Sequence, residues 1–250
     1  MDTYTVFAEV YDRCMEEIPY EDWCRQITSL LCQDGIVDGL VLELGCGTGT
    51  MTELLAQAGY DMIGVDASGE MLSKAIEKRN SSGQDILYLQ QDMREFELYG
   101  TVRAVVSVCD TMNYLLEEEE LLQVFRLVNN YLDPKGLFLF DLKTEHHFRD
   151  VVGTQSFVQN EEDVCIIWEN YYYEEEQVNE YAVTIFAAEE DGRYERQQEL
   201  HYQKPYTIAQ IQRLLQQAGM EFVAAYGENG EEASETDSSR IYILARECGK

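Results

Sequence analysis

Between residues 40 and 142, short apolar runs alternate with stretches in which apolar residues recur every three or four positions. The runs predict strands at 40–45, 61–66, 86–90, 102–109 and 136–142, and the stretches between them predict helices at 49–58, 68–79 and 117–132. This alternation implies an α/β protein, with a doubly wound, mostly parallel sheet covered by helices on both faces. Two helices precede it within residues 3–35. Tyr4, Phe7, Ala8, Tyr11 and Met15 share one face of the first, and Trp23, Ile27, Leu30 and Leu31 share a face of the second, which follows Pro19.

Residues 145–205 break the rhythm. The runs 164–173, 178–188 and 194–203 are rich in Val, Ile, Tyr and Thr, and the acidic turns 174–177 and 189–192 separate them. They predict an antiparallel sheet inserted after the fifth strand. The chain then returns to the core with a helix capped by Thr207 and closed by Gly219. Strands at 221–226 and 240–245 bring the main sheet to seven. The domain division is therefore 1–144 with 206–250 for the core, and 145–205 for an inserted cap.

The first strand breaks into Gly45-Cys46-Gly47-Thr48-Gly49. Glycine there lets the chain turn sharply and lets a ligand approach bare backbone, while the next helix points its free N–H groups toward that ligand. Twenty-one residues after Gly45 the second strand ends in Asp66, where a nucleotide-type fold bonds a ribose diol. A dinucleotide fingerprint needs Gly or Ala where Thr50 stands. No Lys or Arg occurs between Gln26 and Ser73, and Glu43 lies two residues before the first glycine. These features suit a cationic ligand better than a pyrophosphate.

Glu43-Leu44-Gly45-Cys46-Gly47-Thr48-Gly49 resembles the first motif of class I S-adenosylmethionine-dependent methyltransferases. Asp66-Ala67-Ser68 resembles their ribose-binding acid, Gln91-Asp92-Met93 their adenine-edge motif, and 105–110 the fourth-strand motif beside the methyl group. The segment from Tyr4 to Met15, with Pro19, Tyr20 and Trp23, is similar to the aromatic entry of a bacterial group of small-molecule methyltransferases, in which it forms a lid. The resemblance implies a Rossmann-like core with residues 1–35 as that lid. It implies S-adenosylmethionine as cofactor, held by Tyr20, Trp23, Glu43, Gly45, Cys46, Gly47, Asp66, Ala67, Met71, Asp92, Met93 and Cys109. On this reading Glu43 organises the ammonium, Asp66 accepts from the ribose hydroxyls, and Asp92 and Met93 meet the adenine edge.

The 250 residues carry 18 bases and 48 acids, a formal charge of −30. Such a chain is repelled by phosphate backbones and anionic membrane surfaces, so neither nucleic acid nor membrane is an expected partner. Seven scattered cysteines without a C-x-x-C pair fit reduced thiols, and no signal peptide or membrane span is visible; a cytoplasmic monomer or homodimer is expected. His146 and His147 are neighbours and His201 is remote, which disfavours a metal site.

Methyl transfer from a sulfonium requires a nucleophile held in line, water excluded, and any proton on the nucleophile removed. Asp110, Asn113 and Tyr114 follow the fourth strand and are the candidates for orienting a small-molecule acceptor at N, O or carboxylate. His201 is a candidate base reaching from the cap, though a packed structural histidine is the commoner case. Cys109 is read as a small contact beside the methyl group. A tRNA or protein acceptor, a non-catalytic cofactor-binding protein and an NAD-dependent oxidoreductase are the competing readings.

Overall fold

The computed structural model describes residues 7–189, 191–228 and 230–250. Tyr4, in the predicted first helix, and Glu190, in the second cap turn, lie outside the described residues. Two helices, α1 (Phe7–Cys14) and α2 (Tyr20–Gln33), lead into β1 (Gly39–Leu44), α3 (Thr50–Gln57), β2 (Tyr60–Asp66), α4 (Gly69–Ser82) and β3 (Ile86–Gln90). Then come β4 (Val102–Ser107), α5 (Glu118–Tyr131) and β5 (Leu132–Lys143). After the cap, α6 (Ile208–Gln217) is followed by the final strands, which we number β10 (Met220–Gly227) and β11 (Arg240–Glu247).

The main sheet has seven strands in the order β10-β11-β5-β4-β1-β2-β3. Pairs among β1 to β5 are parallel, whereas β11 is antiparallel to both β5 and β10. Strand order reverses between β1 and β4, so a crevice opens there beyond the carboxyl ends of the strands. Both faces of the sheet are apolar because helices cover both. Phe138, Phe140 and Leu142 face α5 and α6, while Leu137 and Leu139 face α2 and α3.

The predicted cap is present: β7 (Val164–Tyr173), β8 (Val178–Ala188) and β9 (Tyr194–Gln203) pair antiparallel. It also contains a π-helical turn, His147–Val152, and an edge strand, β6 (Ser156–Asn160). The sequence reading lacked both. Ser156–Asn160 is mostly exposed, with Phe157 and Val158 both facing solvent, so it shows none of the inside-outside alternation by which a strand is recognised. The inner face of the cap forms a core of its own, in which Phe7 and Val10 of α1 pack with Phe148, Ile166, Val183 and Ile185. The N-terminal helix is thus built into the cap.

One boundary differs from expectation for a reason that matters to the site. Strand β4 stops at Ser107 and not at residue 109, because Cys109 and Asp110 turn into the left-handed region with φ of 62° and 54°. Two consecutive non-glycine residues there are costly and persist only when their surroundings hold them. Here the Asp110 N–H donates to Asp141 Oδ1 at 3.0 Å, and the Asp110 side chain is locked into an ion network.

Candidate active site

The glycine loop is folded back on β2, where the N–H groups of Gly45 and Cys46 both donate to the Val65 carbonyl. Gly45, Gly47 and Gly49 all have positive φ. A Cβ on Gly45 would run into the Thr111 side chain, and one on Gly49 into Tyr88. Around Gly47 nothing lies within 4 Å of where a Cβ would stand, so its bare backbone faces open space. That space is a cavity of about 720 Å³, bordered by the ends of β1, β2 and β4.

Glu43, Asp66 and Asp92 line this cavity. Glu43 is buried, and the Thr52 hydroxyl donates to its Oε2. Burial pushes its carboxyl up to about 8, the Thr52 hydrogen bond opposing and the Asp66 charge adding. The Asp66 carboxylate is fixed by the N–H groups of Gly47, at 2.8 Å, and Ser68, at 2.9 Å; burial still raises its pKa against those bonds. Asp92 is held below the usual carboxylate range by Arg94, which also bonds Glu120. Arg94 is the one basic residue among the described residues lining the cavity, so its charge is largely spent on these two acids. Ala67, Met71 and Met93 supply apolar wall between Asp66 and Asp92.

Glu43 gives the unliganded protein a specific pH dependence. A carboxyl raised by folding adds stability below its ordinary value of about 4.3, and that stability is lost as pH rises through about 8. Between those limits the slope approaches about 1.4 kcal/mol per pH unit. Glu43→Gln is therefore expected to flatten the fall in stability from roughly pH 4 to 8. Urea unfolding of both proteins across that range checks it, and parallel curves would contradict the assignment.

The other end of the cavity is walled by Tyr11, Tyr20, Cys109, Tyr114 and Leu115. The Cys109 thiol donates to the Tyr20 hydroxyl at 3.4 Å. Burial pushes that thiol up to about 11 although Arg240 opposes it, so it stays protonated at neutral pH. Helix α1 is pinned over the glycine loop by Asp12. Its carboxylate accepts from the Thr48 hydroxyl at 2.6 Å and pairs with Lys78 at 2.7 Å, while Lys78 also donates to Thr50.

Three expected site residues point elsewhere. Trp23 does not border the cavity: α2 turns it toward the sheet, where the Arg240 guanidinium lies 5.0 Å over its ring. Asn113 is fully buried, and its amide is consumed by backbone, donating to the carbonyls of Lys143 and Lys204 and accepting from the Lys143 N–H. It joins the end of β5 to the chain leaving the cap. Asp110 bonds Arg240 at 2.8 Å, Gln203 at 2.7 Å and Lys143 at 3.3 Å, all away from the cavity. Burial pushes its carboxyl up, but Lys143 and Arg240 outweigh burial and hold it well below the usual range, so it is no general base. The left-handed turn at residues 109 and 110 causes this, by aiming Cys109 at the cavity and Asp110 behind it.

Tyr114 does face the cavity, and its hydroxyl is 3.3 Å from Nδ1 of His201, which is buried on β9. Sequence reading missed Lys143 and Arg240. Local pattern carries no signal for the two cations, since they meet Asp110 from β5 and β11, far along the chain. Among the described residues no helix is long and apolar enough to cross a membrane.

Comparison with known proteins adds the family. The family described as "Methyltransferase domain" matches residues 41–136. A methyltransferase-named protein of Geobacillus sp. (strain WCH70) is 35% identical over 98% of this chain and 99% of its own length. The crystal structure of an S-adenosylmethionine-dependent methyltransferase from Clostridium acetobutylicum superposes with a TM-score of 0.87 at 25% identity, covering 99% of this chain and all of that one. An amino pentose methyltransferase from Micromonospora echinaspora, solved with its cofactor bound, shares the fold with a TM-score of 0.76 at 17% identity, over 99% of both chains.

Proposed function

Because the chain belongs to the class I S-adenosylmethionine-dependent methyltransferases, we propose that it methylates a small molecule, at nitrogen, oxygen or a carboxylate, within the cavity beside Tyr114. The observation that carries this reading is the cavity itself: acidic, nearly free of uncommitted cations, and closed by an aromatic lid. S-adenosylmethionine supplies an electrophilic methyl group on a sulfonium whose sulfur is ready to leave. The residues fit that molecule. Gly47 presents backbone without a side chain, and Glu43 offers a carboxyl whose charged form an arriving ammonium would favour. Asp66 keeps lone pairs for a ribose diol, while Ala67, Met71 and Met93, with Asp92 at the edge, make a slot for a purine.

On the acceptor side, Tyr11, Tyr20 and Tyr114 surround the reacting end and exclude water from it. Residues 145–205 form the substrate-facing part, since β9 of that segment delivers His201 behind Tyr114. A small acceptor is favoured over tRNA by the charge of −30, and the shared fold of the amino pentose enzyme supports the same class. Seven free cysteines support a reducing compartment such as the cytoplasm. Calorimetric titration with S-adenosylmethionine and S-adenosylhomocysteine tests the cofactor part: both are expected to bind in the micromolar range, and a heat signal from NAD alone would contradict the reading.

A further inference from the structure

The group behind Tyr114 is more than one histidine. Tyr114, on the 3-10 turn Thr111–Tyr114, borders the cavity, and its hydroxyl lies 3.3 Å from His201 Nδ1. The other ring nitrogen, Nε2, lies 3.3 Å from Glu199 Oε2. Glu199 is itself fixed by the lid, because its Oε1 accepts the backbone N–H of Phe7 at 3.1 Å. The Phe7 ring also stands against the imidazole, with centroids 6.0 Å apart. His201 and Glu199 are almost wholly shielded from water, with side chains 2% and 10% exposed. Three side chains from two separate parts of the chain therefore lie in a line that starts at the cavity wall and ends at the lid.

We propose that Glu199, His201 and Tyr114 form a proton relay for the acceptor, with Glu199 as the positioning residue that sets the tautomer of His201. The Glu199 carboxylate, 3.3 Å from Nε2 and outside hydrogen-bond alignment with it, acts through its charge to favour the proton on that nitrogen, which leaves the Nδ1 lone pair toward the Tyr114 hydroxyl. The acceptor's proton passes to the Tyr114 oxygen as the Tyr114 hydroxyl proton passes to Nδ1. His201 becomes an imidazolium whose charge Glu199 offsets. The electron pair left on the acceptor atom forms the new bond to carbon, and the carbon–sulfur pair departs on sulfur. The inference rests on the methyltransferase reading and narrows it. The acceptor atom is one that must lose a proton, an amine or a hydroxyl, since a carboxylate has none to give. It also explains why the lid and the cap share a core, because docking of α1 brings the Phe7 N–H onto Glu199.

The test reads the imidazole directly, in the free protein, by ¹⁵N nuclear magnetic resonance of histidine-labelled material. Three histidines make assignment simple, with His201→Gln identifying the signal. Wild type is expected to show neutral His201 protonated on Nε2. In Glu199→Gln the carboxamide keeps an oxygen for the Phe7 N–H and presents its NH₂ to the ring. The preference is then expected to shift toward Nδ1–H by roughly fivefold, the order that one neutral hydrogen bond is worth. Tyr114→Phe keeps the tautomer but shifts the Nδ1 resonance by removing its donor. A wild-type Nδ1–H tautomer, or an Nδ1 signal indifferent to Tyr114→Phe, overturns the relay. Titration of the same samples with S-adenosylhomocysteine separates the two levels: absence of binding overturns the methyltransferase reading, whereas the imidazole signals speak for or against the relay alone.

Discussion

Asp66→Ala is expected to weaken binding of S-adenosylhomocysteine by at least about 100-fold while leaving the unliganded fold nearly as stable as wild type. The two halves have one cause. Asp66 is oriented by the N–H groups of Gly47 and Ser68, so its remaining lone pairs project into the cavity at the carboxyl end of β2. Two ribose hydroxyls bonding one carboxylate are worth roughly 1.5–3 kcal/mol each, which places the combined loss at two orders of magnitude or more. In the free protein the same carboxylate is costly, because burial raises its pKa despite the backbone donors. Replacing it removes that cost along with the two bonds, and the changes offset. Calorimetry with a parallel melting curve checks both halves. Undiminished affinity would show that the ligand lies elsewhere.

Arg240→Met is expected to be the most destabilising single change at the site, by about 3–5 kcal/mol, or a fall in melting temperature of roughly 6–20 °C. Arg240 is buried on β11, where one arm bonds Asp141 and the other bonds Asp110, while its face stacks on Trp23. Its loss leaves Asp141, which is fully buried, with an uncompensated charge. The effect carries a pH signature. Asp110 is held below the usual carboxylate range, so its favourable contribution is present above about pH 4 and lost as pH falls through its folded value. With one of its two cations removed, that contribution shrinks. The deficit of the variant should therefore stay constant from neutral pH down to about pH 4 and shrink only below it. Asp141→Asn added to Arg240→Met should recover part of the loss, because the orphaned charge goes with it.

Much of this was legible in the sequence because it rests on local chemistry. The glycine loop, the acid ending β2 and the alternation of runs need only neighbouring residues, and the seven-stranded sheet follows them strand by strand. Three cap strands were legible too, since the first two are long runs rich in β-branched and aromatic residues and acidic turns separate all three. What escaped depends on distant contacts. Asn113 looks like an acceptor-binding residue from its place after β4, yet backbone from β5 and from beyond β9 claims its amide. Asp110 looks like a base until Lys143 and Arg240 arrive from other strands. Trp23 reads as part of the lid, but the apolar face of α2 belongs to the sheet. Glu199 carries no signal at all in sequence, because its meaning comes from Phe7 and His201 together.

The most direct test of the central claim uses S-adenosylmethionine labelled in its methyl group. The protein is incubated with extract divided into a small-molecule filtrate, a protein fraction and a tRNA fraction. Label is expected to pass into the filtrate and to remain there after the residual cofactor is removed. Label that appears instead in the tRNA or protein fraction, and not in the filtrate, would contradict the account.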